Sequence, residues 1–231
     1  MKLWKDTKRN MSNGANTAYF VPASNESGRG PGILVLHSWW GLTPRIKKIC
    51  EQFADLGYCA LAPNFFGEVA LTIDRAQELL SEADPNQMAD LVLSSIHALR
   101  TYSDEPGKPI AVVGFAMGGS LSLWASTRQP ESVETVVSVY GTQDIDFSES
   151  TSKYLLVSAS DDDIATEDEM NYTQALIALG DKEAQSLIVD GTKHGFAEDL
   201  DPSFDETALE QAMEKIILFL GNNFRNEKPL K

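Results

Sequence analysis

The chain has 231 residues, 42% of them hydrophobic and 23% charged, and its formal net charge is −15. That balance fits one globular domain with a sizeable core and excludes a disordered, collagen-like, disulfide-stapled or membrane-spanning chain. So acidic a surface repels nucleic-acid phosphates and anionic lipid, and neither is expected as a partner. Residues 1–16 are polar and lack the apolar segment of an export signal, so a cytoplasmic location is the expectation. Residues 17–21 read as an edge or antiparallel strand ending at Pro22, and 23–31, rich in Gly, Ser and Asn, as a hairpin loop. The run 33–36 is continuously apolar, as expected of a parallel strand covered on both faces, and 58–62, 110–115, 136–140, 155–158 and 186–189 repeat the pattern.

Helix signals fill the intervals. Thr43-Pro44 places a cap and an N1 proline before an amphipathic run to Leu56, and Asp84-Pro85 does the same before the stripe Met88, Val92, Ile96 and Leu99. Shorter or later helices are expected over 74–81, 118–127, 167–179 and 206–222. Repeated βα units imply right-handed crossovers and a mostly parallel sheet with helices on both faces. No linker or repeat interrupts them, so 1–231 reads as a single α/β domain with its core over about 17–223 and a polar tail at 225–231. Cys50 and Cys59 lie in apolar patterns as small buried hydrophobes, and no Cys/His ligand spacing calls for a metal or cofactor.

Ligands of such sheets bind beyond the carboxyl ends of the strands, so the residues just after each strand carry the functional information. The strand 110–115 runs through Gly114-Phe-Ala-Met-Gly118 directly into a helix, which is the frame of a nucleophile elbow. The central residue of that frame is normally a hydroxyl or thiol, but here it is Ala116. Met117, next in line, offers a backbone N–H to a developing oxyanion at a helix N-terminus. His194 follows the last strand, and a carboxylate follows the strand 155–158 in Ser160-Asp-Asp-Asp163. The chain order nucleophile position, acid, histidine is that of hydrolases on α/β sheets. Asp161 is taken as the acid, with Asp162 and Asp163 left open. His37, also at a strand end, reads as a residue that shapes its loop.

Over 17–223 the sequence resembles the dienelactone hydrolase family of α/β-hydrolases. The likeness is carried by Leu-His-Ser-Trp-Trp-Gly-Leu at 36–42, Gly-Tyr-Cys-Ala-Leu-Ala-Pro-Asn at 57–64 and Gly-Phe-Ala-Met-Gly-Gly at 114–119. Tyr140-Gly141, Asp161 with Ile164, and His-Gly-Phe-Ala at 194–197 complete it. The resemblance implies an α/β-hydrolase fold and a triad of position 116, Asp161 and His194. It also implies an oxyanion hole from the N–H groups of Met117 and Trp39, a substrate pocket formed by Ser38, Trp40, Tyr140 and Phe196, and no cofactor. The implied reaction is hydrolysis of a small ester or lactone through an acyl-enzyme. Three departures stand out. Position 116 is alanine, Ser38 replaces a common glutamate, and Glu198 stands where dienelactone hydrolases carry an arginine that holds the substrate carboxylate. A neutral ester or lactone therefore fits better than an anionic one. Two readings stay open: a hydrolase deprived of its nucleophile, and a non-catalytic ligand-binding or regulatory protein on the same scaffold. No pattern in the sequence fixes an oligomeric state.

Overall fold

The computed structural model describes residues 9–13 and 16–224. The polar tail 225–231 lies outside them. Eight strands form one sheet in the order β1-β2-β4-β3-β5-β6-β7-β8. They are β1 (Arg9–Asn13), β2 (Asn16–Val21), β3 (Gly32–Leu36), β4 (Cys59–Pro63), β5 (Ile110–Phe115), β6 (Val133–Val139), β7 (Lys153–Ala159) and β8 (Ala184–Val189). Strands β3 to β8 run parallel, while β1 and β2 are antiparallel additions at one edge. The helices are α1 (Pro44–Asp55), α2 (Ile73–Glu82), α3 (Pro85–Tyr102), α4 (Met117–Arg128), α5 (Glu167–Leu179) and α6 (Glu206–Asn223).

Period-two alternation along the central strands decides which helices cover which face. Ile33, Val35, Val113, Phe115, Val137 and Val157 pack with α1 and α6. Leu34, Leu36, Val112, Val136 and Leu156 point the other way and pack with α3, α4 and α5. Both faces are thus sealed, which is why these strands read as unbroken apolar runs. The expected caps are in place: Thr43 Oγ1 accepts the Ile46 N–H, and Asp84 Oδ1 accepts the Asn86 N–H. Thr166 and Glu169 close a full capping box on α5.

One strand was unannounced, and one expectation fails. Strand β1, Arg-Asn-Met-Ser-Asn, lacks any apolar alternation, so nothing in its composition announced it. Residues 23–31 do not close a hairpin, because β2 pairs antiparallel with β4 and not with β3. The Gly30 backbone sits so close to the Gly57 carbonyl that a Cβ there would overlap it, so this loop is packed onto the end of α1.

The chain enters the parallel sheet at β3, moves outward to β4, then returns to β5 on the other side of β3 and winds away. The order of winding therefore reverses between β3 and β5. That reversal opens the crevice in which open α/β sheets bind ligands.

Candidate active site

The elbow lies at this reversal. Strand β5 ends at Phe115, α4 begins at Met117, and Ala116 between them has φ 49° and ψ −115°. An L-residue in that conformation costs on the order of 1–3 kcal/mol and persists only where its surroundings enforce it. Here the enforcement is visible. The Ala116 N–H donates to the Val139 carbonyl at 2.9 Å, and its own carbonyl accepts the Ser120 N–H at 3.0 Å. A Cβ on Gly114 would overlap the Gly118 carbonyl, one on Gly118 would overlap the Leu36 carbonyl, and one on Gly141 would meet the Ser120 nitrogen at 2.5 Å. Close backbone packing on three sides thus holds position 116 above the sheet, whatever its side chain. Met117 is the first residue of α4, so its N–H has no carbonyl within the helix to donate to. The Trp39 N–H makes no backbone hydrogen bond among the described residues.

On the far side, β8 leads into a turn with Gly191 and Gly195 at positive φ. A side chain at Gly195 would also collide with the Asp201 carboxylate. His194 projects from this turn with its side chain 16% exposed, and its Nδ1 lies 3.1 and 3.0 Å from the two carboxylate oxygens of Asp162. The Asp162 carboxylate is itself buried, and Oδ1 also accepts the N–H groups of Ile164 and Ala165 at 2.9 and 2.8 Å. Burial alone pushes this carboxyl up, but the hydrogen bonds from His194 and the two amides outweigh it and hold it below the usual range. An ionised Asp162 fixes the proton of His194 on Nδ1 and leaves Nε2 free to act as a base.

The carboxylate that meets His194 is therefore that of Asp162 and not of Asp161. Strand β7 continues to Ala159, and its pairing does not stop there. The Ser160 N–H donates to Val189 and the Asp161 N–H to the Thr192 carbonyl, at 3.1 and 2.9 Å. Asp161 is still bound along β8, with its side chain in solvent, and Asp162 is the first carboxylate to turn inward over the strand end. Asp163 is exposed.

Tyr140 connects the two halves. It follows β6 beside Ala116, has φ 40°, and lays its ring 4.7 Å from that of His194. Its hydroxyl is buried with no full hydrogen bond among the described residues. Of the residues expected around the substrate, Trp40 and Phe196 turn out to be interior, at 1% and 0% exposure. Trp40 belongs to a small cluster with Ala70, Ala76 and Leu79 beneath α2, and Phe196 packs edge-on against Tyr140 in the main core. Both support the site from behind. Ser38 is also buried, whereas Trp39 and Met117 remain partly exposed.

His37 is fully buried. Its Nε2 accepts the Phe65 N–H at 3.1 Å, which leaves the ring proton on Nδ1 to be donated to the Ser38 carbonyl at 2.6 Å. Burial pushes its pKa down to about 4, so it stays neutral and ties the loop after β3 to the loop after β4. Glu198 is a feature whose burial the sequence reading did not register. Its carboxyl lies inside, and burial raises its pKa to about 8. The clue was its position directly after Phe196-Ala197, an apolar pair that enters the core. Arg75 is held on α2 by Glu68 and Glu78 at 2.7 and 2.9 Å. No group of three or more metal-binding side chains occurs among the described residues, and no described helix is long and apolar enough to cross a membrane.

Comparison with known proteins agrees with this architecture. The dienelactone hydrolase family signature matches residues 17–224. Protein usf of Aquifex pyrophilus is 35% identical over 119 residues, 48% of this chain and 52% of its own. The carboxymethylenebutenolidase of Rhodococcus opacus is 24% identical over 127 residues, 54% of this chain and 50% of its own. The chain thus spans about half the length of these curated relatives. Among solved structures, a candidate dienelactone hydrolase of Klebsiella pneumoniae superposes with a TM-score of 0.76 at 18% identity, covering 89% of this chain and 92% of that one. With the fold, the elbow and the family signature in agreement, the chain belongs to the dienelactone hydrolase family of α/β-hydrolases.

Proposed function

We propose that the site is the machinery of a hydrolase for small neutral esters or lactones, with the attacking atom missing at Ala116. The observation that carries this reading is the buried Asp162–His194 pair, joined through Tyr140 to an elbow that keeps its strained backbone. A residue held at φ 49° against its steric preference is expected where a side chain must be presented to a substrate. In the restored enzyme, a hydroxyl or thiol at position 116 attacks the carbonyl carbon while His194 Nε2 takes its proton. The N–H groups of Met117 and Trp39 hold the oxyanion. Collapse expels the alcohol, which takes the proton back from His194, and water then cleaves the acyl-enzyme by the same route. Asp162 stays ionised throughout and stabilises the imidazolium. Glu198 supplies no cation where the family's arginine would hold a carboxylate, and the net charge of −15 disfavours an anionic substrate, so a neutral ester or lactone is the class proposed. Nothing in this chemistry requires a cofactor. The cytoplasm remains the proposed location.

As it stands, the chain can bind and polarise such a molecule but cannot form the acyl-enzyme. Ala116→Ser and Ala116→Cys, assayed with p-nitrophenyl acetate, should gain about three orders of magnitude or more over the parent. No gain from either variant would refute the reading. Ala116 together with Glu198 and Ser38 favours one second reading, a natural binder that has left catalysis behind. Calorimetry with small esters and lactones tests it, and no heat at millimolar ligand would dismiss it.

A further inference from the structure

Arg45 stands in the first turn of α1, where the positive end of the helix disfavours a cation, so the helix itself does not account for it. What it reaches does. Its Nη1 and Nη2 donate to the two carboxylate oxygens of Glu206, the first residue of α6, at 2.9 and 2.6 Å. The guanidinium carbon lies 5.0 Å from the ring centre of Phe204, which packs in turn against the main core. The Arg45 side chain is only 14% exposed, against 47% for Glu206. An aromatic seat and a two-pronged contact together fix the guanidinium in one orientation.

Each end of this pair is a short step from a loop of the candidate site. On the α6 side, Glu206 follows Asp205, whose N–H donates to the Phe196 carbonyl at 2.9 Å. Phe196 closes the turn that carries His194, since its own N–H donates to the Lys193 carbonyl at 3.2 Å. On the α1 side, Arg45 follows Thr43-Pro44, and the Thr43 N–H donates to the Gly41 carbonyl at 2.9 Å. The Gly41 N–H donates to the Ser38 carbonyl at 3.2 Å, and the Trp40 N–H to the Ser38 hydroxyl oxygen at 3.3 Å. Trp39 lies inside that turn. A run of polar contacts thus leads from the Trp39 turn to the His194 turn, and the Arg45–Glu206 pair is the step that crosses between the two segments, 161 positions apart. Ion pairs open to solvent add little to stability, so placement is what this one offers.

We propose that Arg45 is a positioning residue: seated on Phe204 and gripping Glu206, it sets the spacing between the loop bearing the Trp39 N–H and the loop bearing His194. The proposal deepens the hydrolase reading and rests on it for the roles of Trp39 and His194, but the link itself can be tested without it. Hydrogen exchange on the Ala116 chain as it exists reads that link. Arg45→Met keeps an apolar stem on Phe204 and loses the forked donors. It should speed exchange about three- to tenfold in peptides covering 37–43 and also in those covering 194–205. Glu206→Ala should do the same, and the double variant should exchange no faster than either single one, because all three remove one and the same bond. Faster exchange confined to the helices, 44–55 and 206–223, or additive effects of the two substitutions, would overturn the proposal.

A second arm separates the two claims. In Ala116→Ser, adding Arg45→Met should lower kcat about five- to tenfold and move KM less than about twofold, since a misplaced oxyanion donor acts in the transition state. The rate is taken per folded chain, with the folded fraction read from near-ultraviolet circular dichroism, so that a loss of stability alone would not move it. Unchanged kcat in Arg45→Met would overturn the positioning role. An Ala116→Ser chain without esterase activity would instead sink the hydrolase reading, and the exchange result would then decide the link alone.

Discussion

Two histidines stand at the carboxyl ends of strands in this chain and serve opposite ends. His37, after β3, is sealed in, neutral, and hydrogen-bonded at both nitrogens to backbone groups of neighbouring loops. His194, after β8, is partly exposed, presents one nitrogen to a buried carboxylate and has the other free. The same side chain at the same kind of position becomes a strut in one case and a base in the other. Partners decide it: backbone groups on both nitrogens fix a neutral ring in place, whereas a buried carboxylate on one nitrogen orients the ring and leaves the other facing the site.

The contrast can be broken most severely at the carboxylate. In an Ala116→Ser background, Asp162→Asn should lower kcat by about four orders of magnitude by favouring the wrong tautomer of His194. Asp161→Asn, one residue away, should leave the rate within about threefold, as an exposed substitution does. Equal losses from the two would contradict the assignment made from the structure. Exchanging the perturbed histidine reverses the kind of damage. His37→Ala strands the buried Phe65 N–H and Ser38 carbonyl and opens a cavity, so chemical denaturation should show a loss of about 2–4 kcal/mol. His194→Ala takes one partner from the buried Asp162 carboxylate but leaves its two amide donors, so it should cost about 1–2 kcal/mol, less than His37→Ala, while abolishing restored activity.

The pH dependence sharpens the same comparison for the two buried carboxyls. Glu198 has its pKa raised to about 8 from an unfolded value near 4.5, so its contribution to stability is full below about pH 4.5 and is lost as pH rises through 8. Asp162 is shifted downward, so its contribution is present above its ordinary value near 3.8 and is lost as pH falls through its lower folded value. Thermal denaturation from pH 4 to 9 should therefore show a decline on the alkaline side that Glu198→Gln flattens and Asp162→Asn leaves in place. Smallest of all, Thr166→Ala removes half of the capping box on α5, far from both histidines, and should cost about 1 kcal/mol with no effect on restored activity.

Much of this was legible before any coordinates. Five of the six parallel strands announced themselves because both their faces are covered, β8 by its Leu-Ile-Val run alone, and two of the long helices did so through Thr43-Pro44 and Asp84-Pro85. The elbow was legible because its glycines are demanded by backbone contact and not by side-chain chemistry. Asp162 was a named alternative to Asp161 and no more, since the register depends on hydrogen bonds that run past the end of β7 to Val189 and Thr192. Strand β1 escaped because an edge strand of polar residues follows no apolar period. Trp40 and Phe196 were placed against substrate because sequence tells which residues neighbour a site, but not whether they face it or back it.

The central claim is that position 116 is where a covalent bond to substrate would form. Intact-mass and peptide mass spectrometry of Ala116→Ser and Ala116→Cys, quenched early after mixing with p-nitrophenyl acetate, tests it directly. An acetyl group is expected on residue 116 itself, absent from the parent chain and lost from the variants when His194 is also replaced by alanine. Acetylation elsewhere in the chain, or rapid ester cleavage with residue 116 never modified, would contradict it.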